Sequence, residues 1–176
     1  MSEGVLTVPV GPDDHALGPP DAPITLVEYG DYQCPYCGGA YPVVQALVRE
    51  FGDDLRFVFR NLPLANVHPH AVHAAEAAES VAIQGLFWPM HDTLFEHQQD
   101  LSGRALLTYA QDVGADAADV QQLLERHSTS ERIQDDVEGA LRSGANGTPA
   151  FFVNGERYDN SWDFDTFSTY LRSLAR

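Results

Sequence analysis

The residues most suited to chemistry are the two cysteines, Cys34 and Cys37, which stand three positions apart in the stretch CPYC. They are the only cysteines of the chain. Two thiols at this spacing can form a small disulfide or, with two further ligands, hold a metal ion. A disulfide over so short a loop joins no distant parts of the chain, so a role as a structural crosslink is excluded. The spacing therefore indicates redox chemistry or metal binding.

A metal site at these cysteines would need two histidine ligands from elsewhere in the chain. His68, His70 and His73 form the one dense histidine cluster, in the stretch HPHAVH. Their place beside a proline at a predicted helix start accounts for them as capping and packing residues. We therefore predict no metal and no cofactor, and take the cysteines as a redox pair.

The segments on either side of the cysteines predict a strand, a helix and a second strand. Residues 24–29 are a short, β-branched apolar run, typical of a buried strand. After the cysteines, apolar residues recur at helical spacing as far as Phe51, and Gly52 suits a helix end. Residues 55–62 alternate as a strand does. A C-x-x-C at the start of the helix of such a βαβ unit is typical of redox proteins.

The rest of the chain predicts a helical insertion followed by a return to the sheet. The pattern is helical from residue 67 to 143, and one of these helices has a predicted capping box from Ser128 to Glu131. Strand character returns at 149–153 and 156–158, before a last amphipathic helix. Residues 9–23 predict an ordered connection. We therefore predict an α/β domain in two segments, 1–66 and 144–176, with a helical domain at 67–143 inserted between them.

The composition excludes several classes of partner. A net charge of −16 opposes binding to nucleic acid and to anionic membranes, and no apolar stretch is long enough to cross a bilayer. The opening MSEGVLTVPVGPDDH lacks the basic segment and apolar run of a signal peptide. We therefore expect a monomer in the cytoplasm, with an exported protein whose signal has been removed as the alternative.

Four features resemble the DsbA-like thiol–disulfide oxidoreductases of the thioredoxin superfamily. They are VEYGDYQCPYC, the proline Pro42 five residues after Cys37, FWPMHDTLF, and GTPAFFVNG near the end. The resemblance runs from about residue 20 through the rest of the chain. It implies a thioredoxin fold with an inserted helical domain, and a cis peptide bond between Thr148 and Pro149. Bonds before proline adopt the cis form at small cost.

The position of the cysteines at the helix start gives each a different role. Cys34 stands just before the helix, where the helix dipole and backbone N–H groups stabilise a thiolate, so we predict that it is the attacking thiol. Pro35 suits the first helical position, where no N–H group is needed. Cys37 lies one turn further in, so we expect it to be buried and to resolve the mixed disulfide.

Three further site residues follow from the resemblance. Glu28, six positions before Cys34, holds the place of an acidic residue that passes protons to or from the buried cysteine. A carboxylate in an apolar strand must be neutral, paired or hydrated, and Arg60 is our candidate partner; an exposed Glu28 at a strand end is the alternative. Thr148 and Pro149 are implied to face Cys34, with the backbone of Thr148 pairing with an extended client peptide.

Tyr36 bears on the direction of the exchange. DsbA-like oxidases commonly have histidine at this position, whereas Pro-Tyr is typical of glutaredoxins. Since Tyr36 adds no positive charge beside the thiolate, we predict an oxidising power between that of a thioredoxin and that of a strong oxidase.

We therefore predict an enzyme, a protein thiol–disulfide oxidoreductase. It would exchange the Cys34–Cys37 disulfide or dithiol with client proteins and be regenerated by a redox partner. The alternatives are a glutathione-coupled, glutaredoxin-like reductase and a non-catalytic metal- or peptide-binding module.

Overall fold

The computed structural model describes residues 4–175, in which five strands and seven α-helices form an α/β fold. The strands are β1 (His15–Leu17), β2 (Ile24–Gly30), β3 (Leu55–Asn61), β4 (Ala150–Val153) and β5 (Glu156–Tyr158). The helices are α1 (Pro35–Phe51), α2 (Ala71–Ala82), α3 (Phe87–Glu96), α4 (Gly103–Asp112), α5 (Ala117–Glu125), α6 (Ser130–Arg142) and α7 (Phe164–Leu174). Of the helices in this described part, none combines the length and hydropathy that a bilayer crossing requires.

The five strands form one sheet in the order β1-β3-β2-β4-β5. Strand β1 is antiparallel to β3, and β4 is antiparallel to both β2 and β5. The helices α2–α6 are inserted between β3 and β4, so the predicted sheet with a helical insertion is confirmed. The edge strand β1 was not predicted, because three residues are too few to show an alternation.

The described chain divides into two compact units. The first contains the sheet and consists of the chain up to Gly30, Gly39–Arg60 and the chain from Glu138. The second consists of Asp31–Gly38 and Asn61–Val137, and so contains the CPYC segment together with most of the inserted helices. The sequence predicted the insertion at 67–143 and did not indicate that the cysteines belong with it.

In the sheet unit, Arg60 near the end of β3 binds the N-terminal connection to the sheet. We expected it to pair with Glu28, but its guanidinium nitrogens donate elsewhere: to both Asp14 oxygens (2.9 Å each), the Tyr29 hydroxyl (3.0 Å), and the carbonyls of Val8 (2.9 Å) and Pro9 (3.2 Å). Burial opposes the charge of Arg60, but the bonds to Asp14 and Tyr29 outweigh it, so its pKa lies above the ordinary value.

In the helical unit, three acidic and amide side chains meet at the end of β3. The backbone N–H of Asn61 donates to Asp136 (2.9 Å), and its side-chain amide donates to Glu79 (2.9 Å) and to Asp136 (3.2 Å). Arg132 binds the other oxygen of Glu79 at 2.8 Å. Burial and, less strongly, the charge of Glu79 raise the pKa of Asp136 to about 6, although the hydrogen bonds from Asn61 oppose this.

The raised pKa of Asp136 predicts that the protein becomes less stable as the pH rises. The unfolded chain releases the Asp136 proton near pH 3.8, whereas the folded chain keeps it up to about pH 6. The contribution of this carboxyl group to the free energy of unfolding is therefore complete below pH 3.8 and is lost as the pH rises through about 6. We expect the free energy of unfolding of the wild type to fall by about 2 kcal/mol relative to that of Asp136→Asn between pH 4 and pH 7. Urea unfolding of both proteins checks this, and a difference that is the same at both pH values would contradict it.

The start of α6 differs from the predicted capping box. The helix begins at Ser130, so the residue before it is Thr129 rather than Ser128. The Thr129 hydroxyl donates to the carbonyl of Glu76 in α2 at 3.4 Å. His127 adopts a positive φ of 50° two residues earlier, and this turn sets where the helix can begin.

Candidate active site

The two cysteines lie at the first turn of α1. Cys34 immediately precedes the helix, Pro35 is its first residue, and Cys37 its third. Both cysteines are thiols in the structure. Cys37 is fully buried, as we expected, but Cys34 is also only 2% exposed, whereas Tyr36 is 69% exposed. Cys34, the predicted attacking thiol, is therefore almost fully buried, and Tyr36 is the exposed residue of this turn.

Asp31 fixes the chain just before Cys34. Its side chain is buried, and one carboxylate oxygen accepts the backbone N–H groups of Gln33 (2.8 Å) and Cys34 (3.2 Å). The other oxygen accepts the backbone N–H of Leu64 and the Nδ1 of His68, both at 2.8 Å. Four donors on two oxygens satisfy this carboxylate and tie the CPYC segment to the loop that precedes α2.

Gln98, which follows α3, holds the other side of the same turn. Its side-chain amide donates to the carbonyls of Tyr32 (2.8 Å) and Cys34 (2.9 Å). The Cys34 carbonyl also accepts the N–H of Gly38 at 3.0 Å. A Cβ at Gly38 would lie 2.1 Å from the Gln98 amide oxygen, so a side chain at this position would displace the Gln98 amide.

Tyr32 connects the turn to the core of the helical unit. Its hydroxyl lies 3.0 Å from Nδ1 of His91 in α3, and both residues are buried. The Tyr32 ring also lies against Phe95, with the ring centroids 4.9 Å apart. Asp31, Tyr32 and Gln98 together restrain the backbone on both sides of Cys34, so the cysteine is held in a fixed turn.

In the sheet unit, Glu28 lies within β2 and is 2% exposed, so the alternative of an exposed strand residue is wrong. Its register partner on β4 is Phe151. A Cβ at Gly30 would lie 3.3 Å from the Glu28 carboxylate and 2.5 Å from the ring of Phe59. The carboxylate is therefore buried within the sheet unit, close to Gly30.

Thr148 and Pro149 also lie in the sheet unit, immediately before β4. The peptide bond between them is cis. Ala150, the next residue, pairs with Tyr29 of β2, so the strand register places this dipeptide near the strand that carries Glu28.

The structure thus groups Cys34, Pro35, Tyr36 and Cys37 in one turn of the helical unit. In the sheet unit, Glu28 lies on β2, and Thr148 and Pro149 immediately precede the neighbouring strand β4. Sequence reasoning missed Asp31 and Gln98. Asp31 had a local signal, because an aspartate side chain often accepts the backbone N–H groups two and three residues further along the chain. Gln98 had none, because it reaches the turn from 64 residues away.

The histidine cluster is engaged at the start of α2. His68 binds Asp31, and the backbone N–H of His70, which precedes α2, donates to the Gln33 side chain at 2.7 Å. Within residues 4–175, no three histidine, cysteine or acidic side chains are grouped so as to hold a metal ion.

The comparisons with known proteins agree on the fold. The family model described as Thioredoxin matches residues 11–173. BdbD from Bacillus subtilis has a TM-score of 0.87 at 24% identity, with 98% of each chain covered. A thioredoxin-like oxidoreductase from Silicibacter pomeroyi has a TM-score of 0.81 at 28% identity, covering 93% of this chain and 92% of that one. The thiol-disulfide exchange protein alpha-DsbA2 from Wolbachia pipientis has a TM-score of 0.78 at 17% identity, covering 92% and 87%.

The curated relatives are longer proteins. The Na(+)/H(+) antiporter NhaA 1 of Salinispora arenicola is 47% identical over 176 residues, which cover 98% of this chain and 27% of that protein. The Na(+)/H(+) antiporter NhaA of Herminiimonas arsenicoxydans is 43% identical over 173 residues, with the same two shares covered. The chain therefore spans about a quarter of the length of the curated relatives it matches.

Proposed function

This chain belongs to the thioredoxin family and has the DsbA-like form of its fold, and from that premise we propose that it is a protein thiol–disulfide oxidoreductase. The observation that carries the proposal is the placement of the two cysteines. Cys34 precedes the first residue of α1, and Cys37 is buried one turn further along. A thiol at a helix N-terminus is stabilised as the thiolate, which is the reactive species in disulfide exchange.

In the oxidising direction, the exchange proceeds in two substitutions. A client thiolate attacks the sulfur of Cys34, the Cys34–Cys37 bond breaks, and Cys37 leaves as a thiolate that takes up a proton. A second client thiolate then attacks the client sulfur of the mixed disulfide, and Cys34 leaves as a thiolate. Two electrons pass from the client to the cysteine pair. The reverse sequence reduces a client disulfide, and in either direction a redox partner must restore the starting state.

We propose that clients are recognised mainly through their backbone, beside Thr148 and Pro149. Proline has no N–H group, and this dipeptide directly precedes β4. An extended client segment that pairs with the backbone of Thr148 would present its cysteine with little demand on neighbouring side chains. This mode suits a protein that acts on many unfolded clients rather than on one.

The mixed disulfide is the direct test of the proposed function. In Cys37→Ser, the resolving thiol is absent, so we expect Cys34 to accumulate a covalent adduct with a disulfide-bonded client such as insulin. Non-reducing gels and peptide mass spectrometry locate the bond. No adduct in Cys37→Ser, with the protein folded, would contradict the proposal. An adduct confined to glutathione would favour the glutaredoxin-like alternative, and stoichiometric metal in the purified protein would favour a metal-binding module.

Glu28 is proposed as the proton carrier for Cys37, because it is a carboxylate enclosed within β2. We expect Glu28→Gln to slow client turnover by about a hundredfold, the lower end of the usual range for loss of a proton-transfer group, while the thiolate titration of Cys34 changes little. Turnover is measured by insulin reduction across pH 6–9, and the titration by absorbance at 240 nm. Unchanged turnover would remove Glu28 from the mechanism.

The compartment and the association with other domains are further proposals. The relatives are named as sodium–proton antiporters of which this chain spans about a quarter, so we propose that domains of this kind also work while joined to a membrane transporter. We propose a reducing compartment, the cytoplasm, if the potential of the cysteine pair lies near that of thioredoxins, and an oxidising one if it lies well above the glutathione poise.

A further inference from the structure

The buried carboxylate of Asp31 takes no part in the exchange steps, although it lies directly beside the attacking cysteine. Asp31 is 1% exposed, and its Oδ1 lies 3.2 Å from the backbone nitrogen of Cys34. A polar side chain at this depth needs partners, and Asp31 has four. Two of these donors are the backbone N–H groups of Gln33 and Cys34, and two come from the loop before α2. Because the carboxylate is held from both sides, it cannot rotate away from Cys34.

The carboxylate and the helix start act on Cys34 in opposite directions. The N-terminus of α1 presents partial positive charge to the sulfur and favours the thiolate. A fixed negative charge, whose oxygen lies 3.2 Å from the backbone nitrogen of Cys34, favours the thiol, and burial strengthens this repulsion by excluding water. The reduced protein is therefore less stabilised than the helix start alone would make it.

His68 is the titratable side chain that contacts Asp31, through a 2.8 Å bond from the loop before α2. Its side chain is 19% exposed. Other titratable groups in this part of the helical unit include Tyr32 and His91, which contact each other, and the exposed pair His70 and Asp100. Gln98, which contacts the Cys34 carbonyl, carries no charge.

We propose that Asp31, held in place by its bond to His68, is a positioning residue that restrains the oxidising power of the Cys34–Cys37 pair. Loss of thiolate stability lowers the reduction potential, because the reduced form is the one that carries the thiolate. The inference deepens the proposed function and rests on it, since a potential matters only to a redox pair. It also gives a reason, beyond the neutral Tyr36, for expecting an oxidant weaker than a strong oxidase.

The test compares Asp31→Asn with Asp112→Asn in the full chain. Both changes remove one negative charge from the helical unit, but Asp112 is an exposed residue at the end of α4. We expect Asp31→Asn to give about tenfold more Cys34 thiolate at a given pH below the midpoint of its titration, measured by absorbance at 240 nm. At a pH above the midpoint in both proteins, the same tenfold stabilisation of the thiolate corresponds to a potential higher by about 30 mV. Asp112→Asn should leave both unchanged.

Two outcomes of this comparison would overturn the inference. If folded Asp31→Asn has the wild-type titration, or if Asp112→Asn shifts it equally, Asp31 has no local electrostatic effect on Cys34. Urea unfolding establishes that the variant is folded. The thiolate titration needs no client, so a shifted titration in a protein without exchange activity would sustain the effect of Asp31 on the thiolate while refuting the proposed function.

Asp31→Ser keeps the test open if Asp31→Asn does not fold. Serine can still accept a backbone N–H group but carries no negative charge. We therefore expect the same increase of about tenfold in Cys34 thiolate, measured in the same way. A folded Asp31→Ser with the wild-type titration would overturn the inference.

Discussion

Cys34→Ser is expected to reduce disulfide exchange with clients to the uncatalysed background, a loss on the order of a thousandfold or more. The hydroxyl that replaces the thiol cannot form a disulfide, so neither direction of the exchange can begin. The fold should survive, because serine fills a similar volume before the first residue of α1. Insulin reduction and oxidation of a reduced client, each measured at several enzyme concentrations, check this.

Two other variants make the result specific. Cys37→Ser should also lose turnover but, unlike Cys34→Ser, should still form a mixed disulfide, because Cys34 remains able to attack. Tyr36→Phe should stay within about twofold of the wild type, because Tyr36 is 69% exposed and its hydroxyl takes no part in the exchange. Retained turnover in Cys34→Ser would show that Cys34 is not the nucleophile.

Arg60→Ala is expected to have the largest effect on stability, a loss of about 3–5 kcal/mol in the free energy of unfolding. Arg60 is 4% exposed, and its removal takes from Asp14 the arginine that binds it, although the Gly11 N–H remains, and takes one donor from the carbonyls of Val8 and Pro9. Removing one partner of a largely buried ion pair is costly even where the intact pair adds little. Urea unfolding at pH 7 measures the loss.

The ion pair between Arg172 and Glu50 provides the matched control. It has a similar length, 3.0 Å, but its side chains are 52% and 50% exposed, so Arg172→Ala should cost no more than about 1 kcal/mol. Arg60→Lys should fall between the two, since lysine keeps the charge but not the planar set of donors. If Arg60→Ala costs no more than Arg172→Ala, the network around Arg60 does not stabilise the fold.

The parts of the fold that depend on local patterns were predictable from the sequence. The apolar run of β2, the helical spacing of α1 and the Asn-Gly turn between β4 and β5 are each encoded within a few residues. The cysteine pair is local in the same sense, because its chemistry follows from C-x-x-C at a helix start. The burial of Cys37 follows from its place one turn inside the helix.

The parts that depend on distant contacts were not predictable in this way. The sequence offered Glu28, on the other predicted strand, as the partner of Arg60. The actual partner, Asp14, lies 46 residues before Arg60 in a segment for which the sequence predicted no strand or helix. The contact of Gln98 with Cys34 depends on how α3 ends and on the absence of a side chain at Gly38. The near-complete burial of Cys34 also results from packing, which a helix-start motif does not reveal.

The reduction potential of the Cys34–Cys37 couple tests the central claim most directly. The full chain is equilibrated in buffers of reduced and oxidised glutathione, quenched by alkylation, and read by mass. We predict a reversible two-electron couple with a potential between about −270 mV, typical of thioredoxin, and about −120 mV, typical of a strong oxidase. Two thiols that are alkylated at every glutathione ratio, with no reversible disulfide, would contradict the account.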